Sequence, residues 1–168
     1  MQWLYLAEYY GESEKGYTVI AEENINKNKA LYEDGHIYID DEFVSGVLNK
    51  RFYWDANENL LIYTTATSVI KAGLDSKTYD INKSSNTKDY VIAKLRGDKL
   101  YIALDFIKEY TALEYKTYKN PNRVVLTYKF GDKQKWVQAD EEAKLRFEPS
   151  IKSRILIDVK KKDKLRIL

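Results

Sequence analysis

The sequence predicts an α+β protein: two tandem copies of a short helix packed on a curved antiparallel β-sheet, followed by a β-rich C-terminal segment. Three observations predict it. The chain of 168 residues resembles itself at an offset of 63, with six identities over the 29 gapless positions from 37 to 65. Inside each copy the apolar period runs two, then about 3.6, then two again, which reads as strand, helix and strand pair. The composition, 44% hydrophobic with two prolines and seven glycines, supplies a core and excludes both a disordered and a collagen-like chain.

The elements follow in order. Residues 1–16 are polar and tyrosine-rich, with Gly11 and Gly16, and are expected to be loose. The first copy, 17–72, opens with Tyr17-Thr18-Val19-Ile20 as a strand. Asp34-Gly35 is a hairpin signal. Beyond it Ile37 and Ile39 alternate with His36 and Tyr38, the period of a half-buried strand. Phe43, Val44, Val47 and Leu48 then share one helical face, with Asp40 as cap, Glu42 at the dipole's positive end and Asn49 as a left-handed stop. Gly46 weakens that helix by roughly 1 kcal/mol relative to alanine. Phe52 and Trp54 point to the core in the next strand, and Asn57-Glu58-Asn59 turns the chain into Leu60 to Tyr63.

Residues 73–89 read as a surface connector, and 90–142 as the second copy. Arg96-Gly97-Asp98 repeats the hairpin signal, Asp105 the acidic helix start, and Phe106, Ile107 and Tyr110 the helical face. Leu113, Tyr115 and Thr117 alternate with Glu114, Lys116 and Tyr118. Asn120-Pro121-Asn122 turns the chain into a return strand, Arg123 to Tyr128. From 143 to 168 the composition shifts. Residues 144–168 hold nine Lys and Arg against three acids, a net +6, which leaves −4 on the remainder of a chain of net +2.

These residues resemble a known arrangement. Asp34 to Ile39, the block Leu48-Asn49-Lys50-Arg51-Phe52-Tyr53-Trp54-Asp55, Asn59 to Thr64, Asp98 to Ile107 and Asn120 to Val125 are similar to the N-terminal segment of clostridial family 18 glycoside hydrolases. That segment is related to the copper amine oxidase N-terminal-like domain, a helix wrapped by a β-sheet. Leu145 to Phe147, Ser150 to Leu156 and Lys162 to Leu168 resemble the opening half of a bacterial SH3-like domain, so 143–168 is expected to be an SH3-like fragment. The resemblance implies a noncatalytic N-terminal module at the cell surface. It would space or position a hydrolase acting on peptidoglycan or a chitin-like polysaccharide. It further implies a membrane-anchored parent, although no run of about 18 apolar residues occurs in the chain itself. The alternative is an independent glycan-binding or protein-interaction module.

Chemistry is sparsely supplied. The chain has no cysteine and one histidine, His36, which is expected to be an exposed strand residue. Copper sites want several imidazole or sulfur ligands, so no metal and no cofactor is expected. The family's Asp-x-x-Asp-x-Asp-x-Glu motif is absent, and no catalytic residue can be carried over. A glycosidase needs two carboxylates placed across a sugar ring. The acids at Glu22-Glu23, Asp40-Asp41-Glu42 and Asp140-Glu141-Glu142 read instead as solvated faces or caps, none in an apolar setting.

Two binding surfaces are expected. Aromatic faces stack on the apolar faces of sugars, which nominates Tyr53, Tyr63, Tyr115 and Tyr118 as a shallow glycan surface. The basic set Lys160, Lys161, Lys162, Lys164 and Arg166 would attract anionic wall polymers or phospholipid. No nucleic-acid motif is present. Half a small barrel would leave Ile155, Leu156, Ile157, Val159, Leu165 and Ile167 without partner strands. Residues 143–168 are therefore expected to dock on the preceding sheet or to pair with a second chain as a homodimer.

Overall fold

A computed structural model describes residues 16–22, 24–119, 122–128, 136–146, 150–152 and 155–166. The chain divides into two units, Lys15–Tyr128 and Met1–Glu14 with Lys129–Leu168. The larger unit begins with β1 (Thr18–Ala21), whose four residues are all buried, and β2 (Asn24–Ile25). The Asp34-Gly35 turn, both residues at positive φ, joins β3 (Leu31–Glu33) to β4 (His36–Asp40). Glycine tolerates that backbone without a Cβ clash, and aspartate is among the residues that accept it next best.

Helix α1 (Asp41–Phe43) is capped as its sequence dictates: Asp40 Oδ1 accepts from the Phe43 N–H at 3.0 Å. It then widens into a π-helical turn, Val44–Leu48, closed by the Asn49 N–H on the Val44 carbonyl at 2.7 Å. Gly46 and two β-branched valines give this stretch little helical preference. Asn49 is not a left-handed stop. Its backbone is extended (φ −158°), and its side-chain amide instead donates to the Tyr110 carbonyl at 3.1 Å and Thr111 Oγ1 at 2.9 Å.

Strands β5 (Phe52–Asp55), β6 (Leu60–Thr64), β7 (Val69–Gly73), β8 (Thr78–Ile81) and β9 (Ser84–Thr87) form one antiparallel sheet in that order. Residues 73–89, read from the sequence as a connector, thus carry a hairpin of this sheet. After them come β10 (Ala93–Arg96), β11 (Lys99–Ala103), α2 (Leu104–Tyr110), β12 (Glu114–Tyr118) and β13 (Arg123–Thr127).

The β3–β4 and β10–β11 hairpins merge into one four-stranded sheet, β10-β11-β4-β3. Ile39 pairs with Ile102, Tyr38 with Ala103, and Asp40 with Tyr101. The offset of 63 equates Ile39 with Ile102, so the repeat faces itself about this pair. The same offset lays β5 on β12 and β6 on β13. Beyond those strands the likeness stops: β6 is extended by the antiparallel β7, whereas β13 is joined by β1 in parallel and then by β2.

One hydrophobic cluster serves the larger unit. Phe52, Phe106, Tyr63, Tyr79 and Tyr110 make its aromatic region, with Phe52–Tyr63 ring centroids 4.6 Å apart and Tyr79 edge-on to Phe106 at 5.3 Å. Phe52 is buried and Trp54 half-buried. Tyr38 departs from its expected outward position. It is buried on the other face of β4, under the Lys94 ammonium 4.6 Å from its ring. Its hydroxyl donates to the Val91 carbonyl at 2.9 Å, so Val91 and Lys94 close this second face of β4.

In the other unit β14 (Trp136–Gln138) pairs with β17 (Lys164–Arg166), and β15 (Ala143–Arg146) with β16 (Ile155–Val159), all antiparallel. Within residues 143–168 β16 finds its partner in β15, and β17 pairs with the preceding β14. Residues 1–15, expected to be loose, and Ile167 lie outside the described residues.

Candidate functional site

Helix α2 and one end of the three central strands of the five-stranded sheet frame an open groove of about 610 Å³. Tyr63, Thr65, Ser68, Ile81, Tyr110 and Thr111 lie along it, with Lys108 and Glu109 at the helix end. The Tyr63 and Tyr110 rings pack 4.9 Å apart, and the Tyr63 hydroxyl reaches the Tyr110 carbonyl at 3.4 Å. Thr65 and Ser68 belong to the turn between β6 and β7, where Thr65 Oγ1 accepts from the Ser68 N–H at 3.0 Å. Aromatic and aliphatic walls, a few hydroxyls and the Lys108 and Glu109 charges line it, and the volume falls in the usual range of about 300–1,000 Å³ for small-ligand sites. Tyr110 was legible only as a core residue of the helical face. The signal that could have found it was its place as the last residue of an aromatic helix.

The four tyrosines expected to form one surface are not brought together. Tyr53 is half exposed on the outer face of the five-stranded sheet. Tyr63 pairs with Phe52 and is packed into the core at 6% exposure, showing the groove only a margin of its ring. Tyr115 and Tyr118 belong to the other sheet, on β12. Tyr118 is exposed and lies beneath the Arg123 guanidinium at 4.5 Å. Tyr115 is half-buried and its hydroxyl donates to Asp105 Oδ1 at 2.6 Å.

That bond belongs to a polar network which the sequence did not disclose. Asp105 Oδ2 accepts from His36 Nδ1 at 2.8 Å, and the His36 ring packs 4.7 Å from Tyr90. His36 is therefore half-buried and partnered, not an exposed strand residue. Burial pushes the Asp105 carboxyl up, but the Tyr115 hydroxyl and His36 together hold it below the ordinary aspartate value. Burial, then Asp105, pushes the Tyr115 phenol up. The Tyr90 hydroxyl meets Glu109 at 3.4 Å, and Glu109 also takes the Lys88 ammonium at 2.7 Å.

The other carboxylates are similarly engaged. Glu22 and Asp40 are almost fully buried, at 3% and 2% exposure, which corrects the reading of Glu22 as a solvated group, while Asp40 is the helix cap the sequence predicts. Glu22 Oε1 accepts from the Tyr128 N–H at 2.9 Å, and Asp40 Oδ2 from the Asn26 amide at 2.7 Å. Glu33 holds Lys94 at 2.8 Å and Arg96 at 2.6 Å. The Arg96 and then the Lys94 bond keep the Glu33 carboxyl below the ordinary glutamate value. Asp41 is raised, by burial first. None of these pairs places two carboxylates across an open cleft.

In the other unit Lys160, Lys161, Lys162 and Lys164 are exposed, and Arg166 lies in β17. Lys160 and Lys162 shape the turn before β17: Asp163 Oδ2 accepts from the Lys160 N–H at 2.8 Å, and Lys162 has φ 76°.

No curated protein and no solved structure matches the chain. Residues 19–126 match the family model of the copper amine oxidase N-terminal domain. The donor set does not fit copper. The single imidazole already binds Asp105, and among the described residues no three His, Asp or Glu side chains gather as a metal cage. The matched span runs from Val19 in β1 to Leu126 in β13, more than half of the sequence. It takes in both hairpins, both helices and the self-facing pair Ile39 and Ile102, and the chain belongs to the copper amine oxidase N-terminal domain family.

Proposed function

We propose that this chain is a noncatalytic, extracellular module that spaces or positions a family 18 glycoside hydrolase on cell-wall polysaccharide, peptidoglycan or a chitin-like polymer. The observation that carries the noncatalytic assignment is the fate of the acids. Glu22, Asp40, Glu33, Asp105 and Glu109 each hold a structural partner at 2.6–2.9 Å, where a glycosidase would leave a carboxylic acid and a carboxylate facing a sugar. Contact with the wall falls to surfaces: the groove beside Tyr110, the exposed rings of Tyr53 and Tyr118, and the lysines at 160–162 and 164.

The same reading takes the segments of the larger unit related by the offset of 63 as two copies of one ancestral segment, supported by the self-facing register at Ile39 and Ile102. It takes residues 143–168 as the opening of an SH3-like domain, supported by the antiparallel pairing of β15 with β16. Sedimentation of the full chain with purified peptidoglycan and with chitin tests the function. Saturable retention is expected on at least one of them. No retention on either, with hydrolysis of a soluble chitin oligomer instead, would overturn it. An independent glycan-binding module is the second reading, favoured by the hydroxyl-lined groove. Saturable shifts at Thr65, Ser68 and Tyr110 on titration with an N-acetylglucosamine tetramer would support it.

A further inference from the structure

We propose that the unit Lys15–Tyr128 is a tension-resisting link, its two ends locked by the parallel pairing of β1 with β13, an inference that rests on the spacer reading above. β1 and β13 are the first and last strands of the unit and run in the same direction, Thr18 opposite Arg123 and Ala21 opposite Leu126. The chain therefore enters at the Thr18 end and leaves at the opposite end, past Thr127. Pulling the two ends away from each other draws the strands in opposite senses along one axis. Every bond between them is strained together, because parallel ladders space their bonds evenly. Strands pulled from a shared end would instead unzip, each bond breaking in turn.

Both ends of the lock are reinforced. At the first, the Thr18 N–H donates to the Asn122 carbonyl at 3.1 Å. At the other, Glu22 grips the departing strand twice: its N–H donates to the Leu126 carbonyl at 3.2 Å, and its Oε1 accepts from the Tyr128 N–H at 2.9 Å. Glu22 reaches both because its backbone is left-handed (φ 52°), a conformation disfavoured for a residue with a Cβ and kept here where both its backbone and its side chain are used. On its far side β1 is held by β2 and by the reciprocal bonds of Tyr17 with Ala30, at 2.9 and 2.8 Å. Thr18, Val19 and Ala21 have no exposed surface, so water is poorly placed to substitute for bonds as they stretch.

The chain contains no cysteine, so pairs of introduced cysteines are unique handles for single-molecule pulling on the 168-residue chain. Lys15→Cys with Lys129→Cys loads β1 and β13 along their axis. Lys15→Cys with Lys119→Cys loads the same strands from the end where Thr18 meets Arg123. A rupture force several times higher is expected in the first geometry. Glu22→Ala is expected to lower that force and leave the second unchanged, while Glu22→Gln, which keeps the acceptor oxygen, retains most of it. Equal rupture forces in the two geometries would overturn the lock. Retention on sedimented peptidoglycan is read separately. Its loss with the force difference intact would overturn the spacer reading, and with it the use of the lock as a tether, but not the lock itself.

Discussion

Asp40 holds two groups from a buried position, and replacing it separates their contributions. Its Oδ1 caps α1 through the Phe43 N–H at 3.0 Å, and its Oδ2 takes the Asn26 amide at 2.7 Å. Loss of an N-cap oxygen costs about 1 kcal/mol. Asn26 is 7% exposed, so Asp40→Ala also leaves its amide without a partner out of water, a penalty of about 1–3 kcal/mol. The expected destabilisation is about 2–4 kcal/mol. Asp40→Asn keeps the cap oxygen but turns an amide NH₂ against that of Asn26, and should fall at the lower end. Urea unfolding followed through the amide signals of Val19, Ile39 and Ile102 reports on this unit alone. A cost below about 0.5 kcal/mol for Asp40→Ala would refute the reasoning, as would strict additivity of Asn26→Ala and Asp40→Ala.

The Asp105 network gives a pH dependence. Burial raises that carboxyl, but Tyr115 and His36 leave its folded value below the unfolded one. Its contribution is thus complete above the unfolded pKa of about 3.9 and disappears as pH falls through the lower folded value. Tyr115→Phe removes the 2.6 Å donor and should flatten the acid limb of the urea midpoint against pH; an unaltered limb would contradict this. Glu33→Ala leaves the Lys94 ammonium, whose side chain is 5% exposed, with only the longer 3.4 Å contact to the exposed Asp34, and is expected to cost about 2 kcal/mol. Glu42→Ala breaks only a 4.0 Å pair exposed at 76% and 68%, and should change stability by less than about 0.5 kcal/mol; comparable losses from the two would show the burial argument wrong. Retention on anionic wall polymers should decline steeply between about 0.05 and 0.5 M salt, and Lys160→Glu with Lys161→Glu and Lys162→Glu should abolish it. Salt-indifferent retention would remove the basic segment from the account.

Much of the larger unit was legible because its strands carry strong local signals. Asp34-Gly35 and Gly97 mark turns whose positive φ values glycine and its neighbours accept, and Asp40 caps the helix it precedes. What escaped notice depends on partners distant in the chain. Ser84 to Thr87 has no apolar face, so β9 is strand only because β8 supplies its hydrogen bonds. Nothing in Thr18 to Ala21 announces that the partner is Arg123 to Leu126, or that the pairing is parallel. Tyr63 could have been assigned to the core, since the turn at Asn57 to Asn59 sets it opposite Phe52. The bond of His36 to Asp105 spans 69 residues, and no local pattern encodes it.

The register at Ile39 and Ile102 carries a consequence for how the two halves vary. Under the duplication proposed above, a substitution at that position in an ancestor that met its own twin would have confronted itself, doubling each bulge or void. With both residues in one polypeptide, either isoleucine can change while the other adjusts. The borders of the two halves already differ: β7 to β9 extend one, and β1 with β2 the other.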